Sequence, residues 1–362
     1  MKYIDDFRKP HLIKKAAGKI RQLMPPKTLK IMEVCGSHTQ SFCRFGLRKL
    51  LPENLKFISG PGCPVCVSHQ SFIDNALDLV KRTDIIIATF GDMLRVPGSN
   101  SSLEKERGKG ANIQIVYSPL DSLKIANRNP DKKVVFLGVG FETTAPVIAL
   151  SILATKKEGL TNLSYLCALK LMPPAMEYLL KDERVDIDGF LCPGHVSSII
   201  GTKPYEFIPK NYKIPCCVAG FEPLDILEGI YLLLKQINDS KPVVSNQYSR
   251  VVKKEGNLKA RKIISEVFDV APAKWRGLGE IKASGLKIKD KFHKFDAERI
   301  FVITRTLELA NSRTRCKCAD ILKGLISPEE CPLFGKSCTP GKALGPCMVS
   351  IEGACNAYYK YR

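Results

Sequence analysis

The sequence predicts an α/β fold with two Rossmann-like domains, each built on a parallel sheet, that face a cleft and precede a third, mostly helical and loop region. Eight short β-branched runs recur at intervals of about thirty residues, which is the length of a strand-helix-strand crossover. Helix-like apolar patterns lie between these runs. After residue 245 the composition changes, and six of the fourteen cysteines fall in residues 316–355.

The predicted strands form two sets of four in chain order. The first set comprises residues 29–34, 56–59, 84–90 and 112–117. The second set comprises residues 133–139, 163–169, 187–191 and 214–218. Apolar periodicity predicts helices over residues 71–82, 144–156, 173–181 and 223–237. A further amphipathic helix is predicted over residues 10–23, ahead of the first strand.

The order of these elements sets the predicted domain boundaries. The first α/β domain is placed at 24–130 and the second at 131–245. The third domain is placed at 246–362, and residues 1–23 can belong to it. Its first part, residues 246–300, is basic and rich in turn residues. Its second part carries the cysteines, which predicts a region held together by a cofactor.

The composition is that of an ordinary globular protein. The chain has 362 residues, of which 44% are hydrophobic and 25% are charged, and such a length suits two or three domains at about 150 residues each. It contains no apolar run of about 18 residues, and its N-terminus is charged from the second residue. These features disfavour a membrane span and a secretory signal, and they predict a cytoplasmic protein.

Cysteine content and charge narrow the function classes. Fourteen cysteines in a chain without an export signal indicate metal binding or redox chemistry, because cytosolic reductants keep ordinary thiols reduced. The formal net charge of +20 is compatible with nucleic acid, an anionic ligand, an acidic protein partner or simply a solvated basic surface. Charge alone does not choose among these.

Chemically distinctive residues directly follow six of the predicted strands. In the first set these segments are 35–38, 60–66 and 91–92, and in the second set they are 140–144, 192–197 and 220–223. Because the carboxyl ends of parallel strands meet at one edge of a sheet, where ligands bind, the six segments predict a cleft between facing sheets.

Three of these segments carry cysteine or histidine side chains. Cys63 and Cys66 form a C-x-x-C that can cycle between dithiol and disulfide, supply half of a metal site or remain as structural thiols. Cys35 and His38 can coordinate a transition metal or can equally be buried packing residues. His195 can act as an acid, a base or a hydrogen-bond donor to a ligand, or it can be a core histidine bonded to backbone.

The C-terminal cysteines carry the strongest local signal. Cys318, Cys331, Cys338 and Cys355 are separated by 12, 6 and 16 residues, and Cys316 and Cys347 remain as spares. Four thiolates suit either a structural zinc or an iron-sulfur cluster. The long, loop-rich spacing favours wrapping around a bulky cluster, but it leaves zinc open.

Taken in order, CGSHT (35–39), GPGCPVC (60–66), GFETT (140–144) and CPGHVS (192–197), together with the C-terminal cysteine spacing, resemble the HypD family of hydrogenase maturation proteins. The resemblance implies a scaffold on which the Fe(CN)2(CO) part of the nickel-iron hydrogenase active site is built. It also implies two partners, a HypC-type small chaperone and a HypE-type cyanide donor. We expect a monomer in isolation that binds no nucleic acid and spans no membrane.

The resemblance assigns roles to the sulfur atoms by position. Cys35 would be the ligand of the transient iron that carries cyanide and carbonyl, with His38 beside it. Cys63 and Cys66 would be the redox-active pair. A 4Fe-4S cluster would be held by four further residues, Cys318, Cys331, Cys338 and Cys355.

Four more residues match cleft motifs of the family whose roles are less defined: Glu142, Thr143, Thr144 and His195. The chain departs from the family pattern at two positions. Gln40 stands where a second histidine is frequent, and His69 stands where a proline follows the C-x-x-C. If the second histidine were an obligatory ligand, iron coordination here would differ.

Two other functions compete with a redox scaffold, to which no enzymatic reaction is assigned. A basic nucleic-acid-binding protein with a structural zinc site would account for the charge and the C-terminal cysteines. A nucleotide-dependent oxidoreductase would need G-x-G-x-x-G or G-x-x-x-x-G-K-[ST] after a strand, and neither pattern occurs.

Overall fold

The computed structural model of the chain describes residues 4–301 and 316–361. Its strands are β1 (Leu29–Glu33), β2 (Leu55–Ser59), β3 (Ile85–Thr89), β4 (Ile113–Ile115), β5 (Lys133–Gly140), β6 (Leu163–Lys170), β7 (Gly189–Pro193), β8 (Cys216–Ala219), β9 (Val244–Asn246), β10 (Phe268–Trp275) and β11 (Gly279–Ile288). Its α-helices are α1 (Pro10–Leu23), α2 (Gly36–Arg44), α3 (Pro64–Val67), α4 (Gln70–Leu79), α5 (Leu103–Gly108), α6 (Asp121–Arg128), α7 (Ala145–Lys157), α8 (Met172–Leu180), α9 (Gly194–Ile200), α10 (Pro223–Asn238), α11 (Leu258–Val267), α12 (Ala297–Ile300), α13 (Cys318–Leu322), α14 (Pro346–Val349) and α15 (Ala354–Lys360).

The strands form two sheets, which confirms the predicted α/β fold class. The first sheet has five strands in the order β2-β1-β7-β8-β9, and all of its pairs are parallel. The second sheet has six strands in the order β10-β11-β6-β5-β3-β4. Its β6-β5-β3-β4 part is parallel, and β10 and β11 add to it in antiparallel orientation. All eight strands predicted from β-branched runs are present.

The predicted grouping of these strands by chain order is wrong. β1 and β2 lie in the five-stranded sheet, but β3 and β4 lie in the six-stranded sheet with β5 and β6. The chain then returns to the first sheet at β7. Strands that are buried on both faces have similar apolar sequences in either sheet, so periodicity identified the strands but not their neighbours. The ranges 24–130 and 131–245 therefore do not coincide with the two sheets, and as domains they stay a prediction.

Residues 246–300, expected to be part of the loop-rich third region, contain an antiparallel hairpin. β10 and β11 pair along their length, and β11 continues the six-stranded sheet through Gly285 and Leu286 beside β6. Most side chains of β10 are at least partly exposed, and the pairing register shifts around Pro272. Such a strand shows little apolar alternation, and proline is tolerated because β10 is an edge strand. The rest of the predicted third domain, residues 316–361, consists of short helices and turns.

The helices follow the predicted pattern closely. α1 covers Pro10–Leu23 as expected, with proline in its first turn, and it packs against α10 beside the five-stranded sheet. The strands of both sheets and the C-terminal segment share one apolar core, in which Phe190, Leu137 and Met348 are buried together. Within the described residues, no helix is long and apolar enough to cross a membrane.

Candidate functional site

The carboxyl ends of neighbouring strands bring several of the predicted residues together. Cys35 follows β1, the C-x-x-C segment follows β2, and His195 follows β7, and these strands are adjacent in the order β2-β1-β7. The backbone N–H of Gly36 donates to the carbonyl of Gly62 over 3.0 Å. A Cβ atom at position 62 would lie 2.4 Å from the backbone nitrogen of Cys35, so only glycine permits this approach.

Cys35 is a buried thiol at the start of α2. It occupies the N-cap position of that helix, and only 8% of the residue is exposed. Burial, followed by the negative charge of Glu352, raises the pKa of the Cys35 thiol to about 12. A metal ligand must be a thiolate. A metal that binds Cys35 therefore has to displace the thiol proton.

His38, on the first turn of α2, is fully buried and has one unused ring nitrogen. Its Nε2 lies 2.9 Å from the carbonyl oxygen of Gly220 and 3.2 Å from that of Ala219. Because carbonyls only accept, Nε2 carries the proton and Nδ1 keeps a free lone pair. No hydrogen-bond partner reaches the buried Nδ1. Burial lowers the pKa of His38 to about 4, so the ring is neutral near pH 7.

Phe221 connects the two histidines of the site. It follows β8, and its ring centroid lies 4.7 Å from that of His38. The exposed His195 ring stacks on Phe221 with a centroid distance of 3.9 Å. The strand ends of β1, β7 and β8 thus place one buried and one exposed imidazole around a single aromatic ring.

An acidic residue that sequence reasoning missed faces the same region. Ser37 Oγ donates to Glu352 Oε1 over 2.7 Å. The backbone N–H of Glu352 donates to Ser350 Oγ, and that hydroxyl donates to Asp92 Oδ2 over 3.0 Å. Since Asp92 follows β3, this C-terminal segment links the strand ends of both sheets. The only sequence signal for Glu352 is an acidic residue three positions before Cys355.

The C-x-x-C pair is buried and points toward a second pair of thiols. Cys63 caps α3, and its sulfur accepts from the backbone N–H of Cys66 over 3.4 Å. The Cys66 side chain interacts with Cys347, and burial raises its pKa well above the ordinary value. The sulfurs of Cys318 and Cys347 lie 2.8 Å apart. Four thiols are thus arranged in the order Cys63, Cys66, Cys347 and Cys318.

A cavity in the C-terminal region is lined mainly by sulfur. Its lining contains five cysteines, namely Cys316, Cys331, Cys338, Cys347 and Cys355. Cys318 itself does not line the cavity. Among residues 4–301 and 316–361, no three His, Cys, Asp or Glu side chains converge closely enough to hold a single metal ion. Thiols spread around a cavity fit the larger spacing of a polynuclear iron-sulfur cluster.

Residues of the GFETT segment lie in a different environment. The Oε1 atom of Glu142 accepts from the backbone N–H of Met172 at the start of α8 over 2.8 Å, and its Oε2 atom is buried without a partner. Burial raises the pKa of Glu142 to about 7. Thr143 is exposed and Thr144 is half-buried at the start of α7. Their predicted roles in the site stay predictions.

The two positions that depart from the family pattern have ordinary surroundings. His69 caps α4, and its Nδ1 accepts from the backbone N–H of Ser71 and contacts the Ser71 hydroxyl over 2.8 Å. Gln40 is half-buried in the second turn of α2.

Comparison with known proteins places these motifs in a family context. A family model described as HypD, hydrogenase formation hypA family, matches residues 11–362. The chain is 45% identical to hydrogenase maturation factor HypD2 of Bradyrhizobium diazoefficiens, covering 100% of this chain and 97% of that protein. It is 42% identical to hydrogenase maturation factor HypD of Escherichia coli, covering 100% and 98%. It is 46% identical to a putative hydrogenase expression/formation protein of Methanocaldococcus jannaschii, covering 97% of each chain.

Fold, thiol arrangement and these relatives define a hydrogenase maturation factor. Within that class, the chain belongs to the HypD family.

Proposed function

We propose that this protein is the scaffold on which an iron fragment carrying cyanide and carbonyl ligands is assembled for nickel-iron hydrogenase. The observation that carries the proposal is the pairing of a buried thiol, Cys35, with the neutral, buried imidazole of His38 on one turn of α2. Both donors come from the same short segment after β1. Family membership supplies the reaction context, and the residues supply the donors.

The donor set suits low-spin iron as cargo. A thiolate and an imidazole leave most coordination positions of an iron ion open for cyanide, carbonyl and a donor from a partner protein. His38 has its Nε2 proton fixed by two carbonyls, so only Nδ1 is available for a metal. The acidic Glu352 beside Ser37 can accept the proton that Cys35 loses on binding iron.

A resident 4Fe-4S cluster fits the sulfur-lined cavity, and we propose Cys316, Cys331, Cys338 and Cys355 as its ligands. Cys316 replaces the Cys318 expected from spacing, because Cys316 lines the cavity whereas the Cys318 sulfur contacts Cys347. When bound, such a cluster supplies single electrons at low potential. Phe334 and Met348 line the same cavity and reduce its contact with water.

The four thiols of Cys63, Cys66, Cys347 and Cys318 can pass an electron pair between them. Attack of the Cys347 thiolate on Cys66 of a Cys63–Cys66 disulfide forms a Cys66–Cys347 bond and releases the Cys63 thiolate. Attack of the Cys318 thiolate on Cys347 then forms the Cys318–Cys347 disulfide and releases Cys66. The C-x-x-C pair is reduced by two electrons, and the Cys318–Cys347 pair is oxidised by two. The contacts Cys66 to Cys347 and Cys347 to Cys318 support this path of transfer.

The proposed partners are a HypC-type small chaperone and a HypE-type cyanide donor. A net charge of +20 favours docking of an acidic partner, whose association should then weaken as salt is added. A reducing compartment such as the cytosol suits fourteen thiols that are all unpaired.

The proposal is tested by replacing Cys35 and measuring the cyanide and carbonyl infrared bands of the complex purified with the chaperone. Cys35→Ala should abolish the bands and leave the cluster absorbance intact. Cys43→Ala is the matched control, because Cys43 is a half-buried thiol on the same helix. Bands that survive in Cys35→Ala would remove Cys35 from the iron site.

Metal analysis of the same anaerobic preparation distinguishes the zinc-bearing nucleic-acid-binding alternative. We expect brown absorbance and about four irons per chain from the cluster. A colourless protein that contains zinc would contradict the cluster assignment.

A further inference from the structure

The tip of the β10-β11 hairpin contacts the segment that follows the C-x-x-C pair. The backbone N–H of Arg276 donates to the carbonyl of Val67 over 2.9 Å. Its side-chain Nε donates to the carbonyl of Ser68 over 2.9 Å, and its Nη2 donates to the carbonyl of Pro97 over 3.3 Å. Trp275 and Ser68 form an isolated β-bridge at the same place. Arg276 therefore fixes the end of α3, the helix that carries Cys66.

The same hairpin tip also reaches the second thiol pair. Gly277 has φ of +80°, and a Cβ atom there would lie 2.7 Å from the Cα atom of Ala319. Ala319 directly follows Cys318 at the start of α13. The hairpin thus packs between the C-x-x-C helix and the helix of Cys318. This places Arg276 near the thiols that these two helices carry.

The Arg276 guanidinium is a cation without a carboxylate in contact. Among the described residues it forms no ion pair, and its side-chain hydrogen bonds go to backbone carbonyls. Its strongest electrostatic interactions are with Cys318 and Cys347, followed by Asp74 and then Cys66. A partly enclosed charge that lacks a counter-ion is costly unless it stabilises negative charge elsewhere.

We propose that Arg276 is a positioning residue that holds α3 in place and supplies a fixed positive charge to the thiolates formed when the C-x-x-C pair exchanges electrons. The proposal rests on the redox role of Cys63 and Cys66 given above. Thiol–disulfide exchange requires thiolates both as the attacking and as the leaving group. Such anions are unfavourable among buried apolar side chains, and a nearby guanidinium offsets this cost because it stays protonated. Arginine is preferred over lysine here because its guanidinium group also donates to the carbonyls of Ser68 and Pro97.

The test measures the rate at which the Cys63–Cys66 disulfide is reduced in the full-length, cluster-containing protein. Under argon the protein is oxidised with glutathione disulfide and then reduced with dithiothreitol for timed intervals, followed by acid quench and alkylation. Trypsin releases residues 57–81 as one peptide, which contains Cys63 and Cys66 and no other cysteine. Mass spectrometry of this peptide reports the redox state of the pair.

Arg276→Gln should slow reduction on the order of tenfold, because it removes the charge. Arg276→Lys keeps a charge and should stay within about threefold of the unmodified chain. Arg95→Gln is the matched control, since Arg95 also donates to backbone carbonyls, of Pro340 and Val349, but is exposed. Its rate should be unchanged. If Arg276→Gln does not fold, Arg276→Met, which keeps an extended side chain without the charge, takes its place and should slow reduction to the same extent.

The outcomes distinguish failure of the proposed Arg276 role from failure of the proposed redox role of the C-x-x-C pair. Equal rates in Arg276→Gln and the unmodified chain overturn the role of Arg276, as does an Arg276→Lys rate reduced tenfold. Loss of thermal stability with an unchanged rate identifies a merely structural arginine and also overturns it. If the 57–81 peptide never becomes oxidised in the unmodified chain, the redox role of the C-x-x-C pair fails instead.

Discussion

Cys35 and the cysteines of residues 316–355 are held by different kinds of structure. Cys35 follows a central strand of a parallel sheet and is fixed by backbone contacts with Gly62, in a region where hydrogen bonds are provided by the fold. The C-terminal cysteines lie on turns and helices of four to seven residues around a cavity. The first region is ordered by the hydrogen bonds of a sheet, whereas the second is held by those of turns and short helices.

This difference indicates how each region acquires its shape. Strand ends are positioned by the backbone hydrogen bonds of the sheet, so the proposed Cys35 site does not depend on its cargo for its shape. Short helices and turns are stable only with tertiary support. A cluster bound by four thiolates would provide that support permanently. A site for transient cargo and a site for a resident group thus call for different scaffolds.

The largest expected effect tests which thiols surround the cavity. Cys338→Ser should abolish the cluster, because it removes one of four proposed ligands, and iron content should fall from about four per chain to nearly zero. Cys318→Ser should retain the cluster, since the Cys318 sulfur contacts Cys347 instead. Iron analysis and visible absorbance after anaerobic purification measure both variants.

One pair of results would contradict the proposed ligand set of the C-terminal region. If Cys318→Ser loses its iron and Cys316→Ser keeps it, the ligand set expected from sequence spacing is right and the cavity lining misleads. In every one of these variants the sheets should remain folded, as circular dichroism can check.

A smaller effect is expected from changing the backbone approach at the Cys35 site. Gly62→Ala should destabilise the protein by about 4 kcal/mol, because its Cβ would overlap the backbone of Cys35 rather than a movable side chain. Denaturant unfolding measures the free energy. Gly18→Ala is the control, since nothing lies within 4 Å of that Cβ position in α1. It should stabilise by about 0.5–1 kcal/mol. A cost below 1 kcal/mol for Gly62→Ala would mean that the strand ends are not rigid.

The third prediction concerns the buried carboxyl of Glu142 and pH. Burial raises its pKa from 4.5 to about 7, so the unfolded chain releases this proton at lower pH than the folded protein does. Stability from this group is therefore present below pH 4.5 and is lost as pH rises through 7, by about 3 kcal/mol. Glu142→Gln keeps an acceptor for Met172 and cannot ionise. Between pH 5 and 8 its unfolding free energy should fall by up to about 3 kcal/mol less than that of the unmodified chain. Parallel pH profiles would show that Glu142 titrates normally.

Sequence periodicity predicted the elements more reliably than their partners. The run DIIIATF predicted β3 because a buried strand is β-branched on both faces. The sequence of that run does not indicate that β3 pairs with β5 rather than with β1, because strand neighbours depend on how the crossover connections pack. The hairpin β10-β11 was missed because most β10 side chains are at least partly exposed, and its proline argued against a strand.

The candidate site could be predicted where chemically distinctive residues directly follow a strand. Cys35, His38 and the C-x-x-C pair were identified because cysteine and histidine beside glycine are unusual at strand ends. Glu352 and Arg276 were missed, since each contacts a residue near a cysteine, Ser37 and Ser68 respectively, from a segment that is distant in the chain. Choosing Cys316 over Cys318 requires knowing which way each thiol points, and a two-residue separation on a turn gives no such information.

The path of the chain between the two sheets has a consequence for biosynthesis. β1 and β2 leave the ribosome first, but the strand that pairs with the other edge of β1, β7, is translated about 130 residues after β2. During that interval β3 to β6 can already pair with one another. The nascent protein therefore exposes an unpaired edge of β1, and with it Cys35, until synthesis is more than half complete, so chaperones have a defined window in which to protect that thiol.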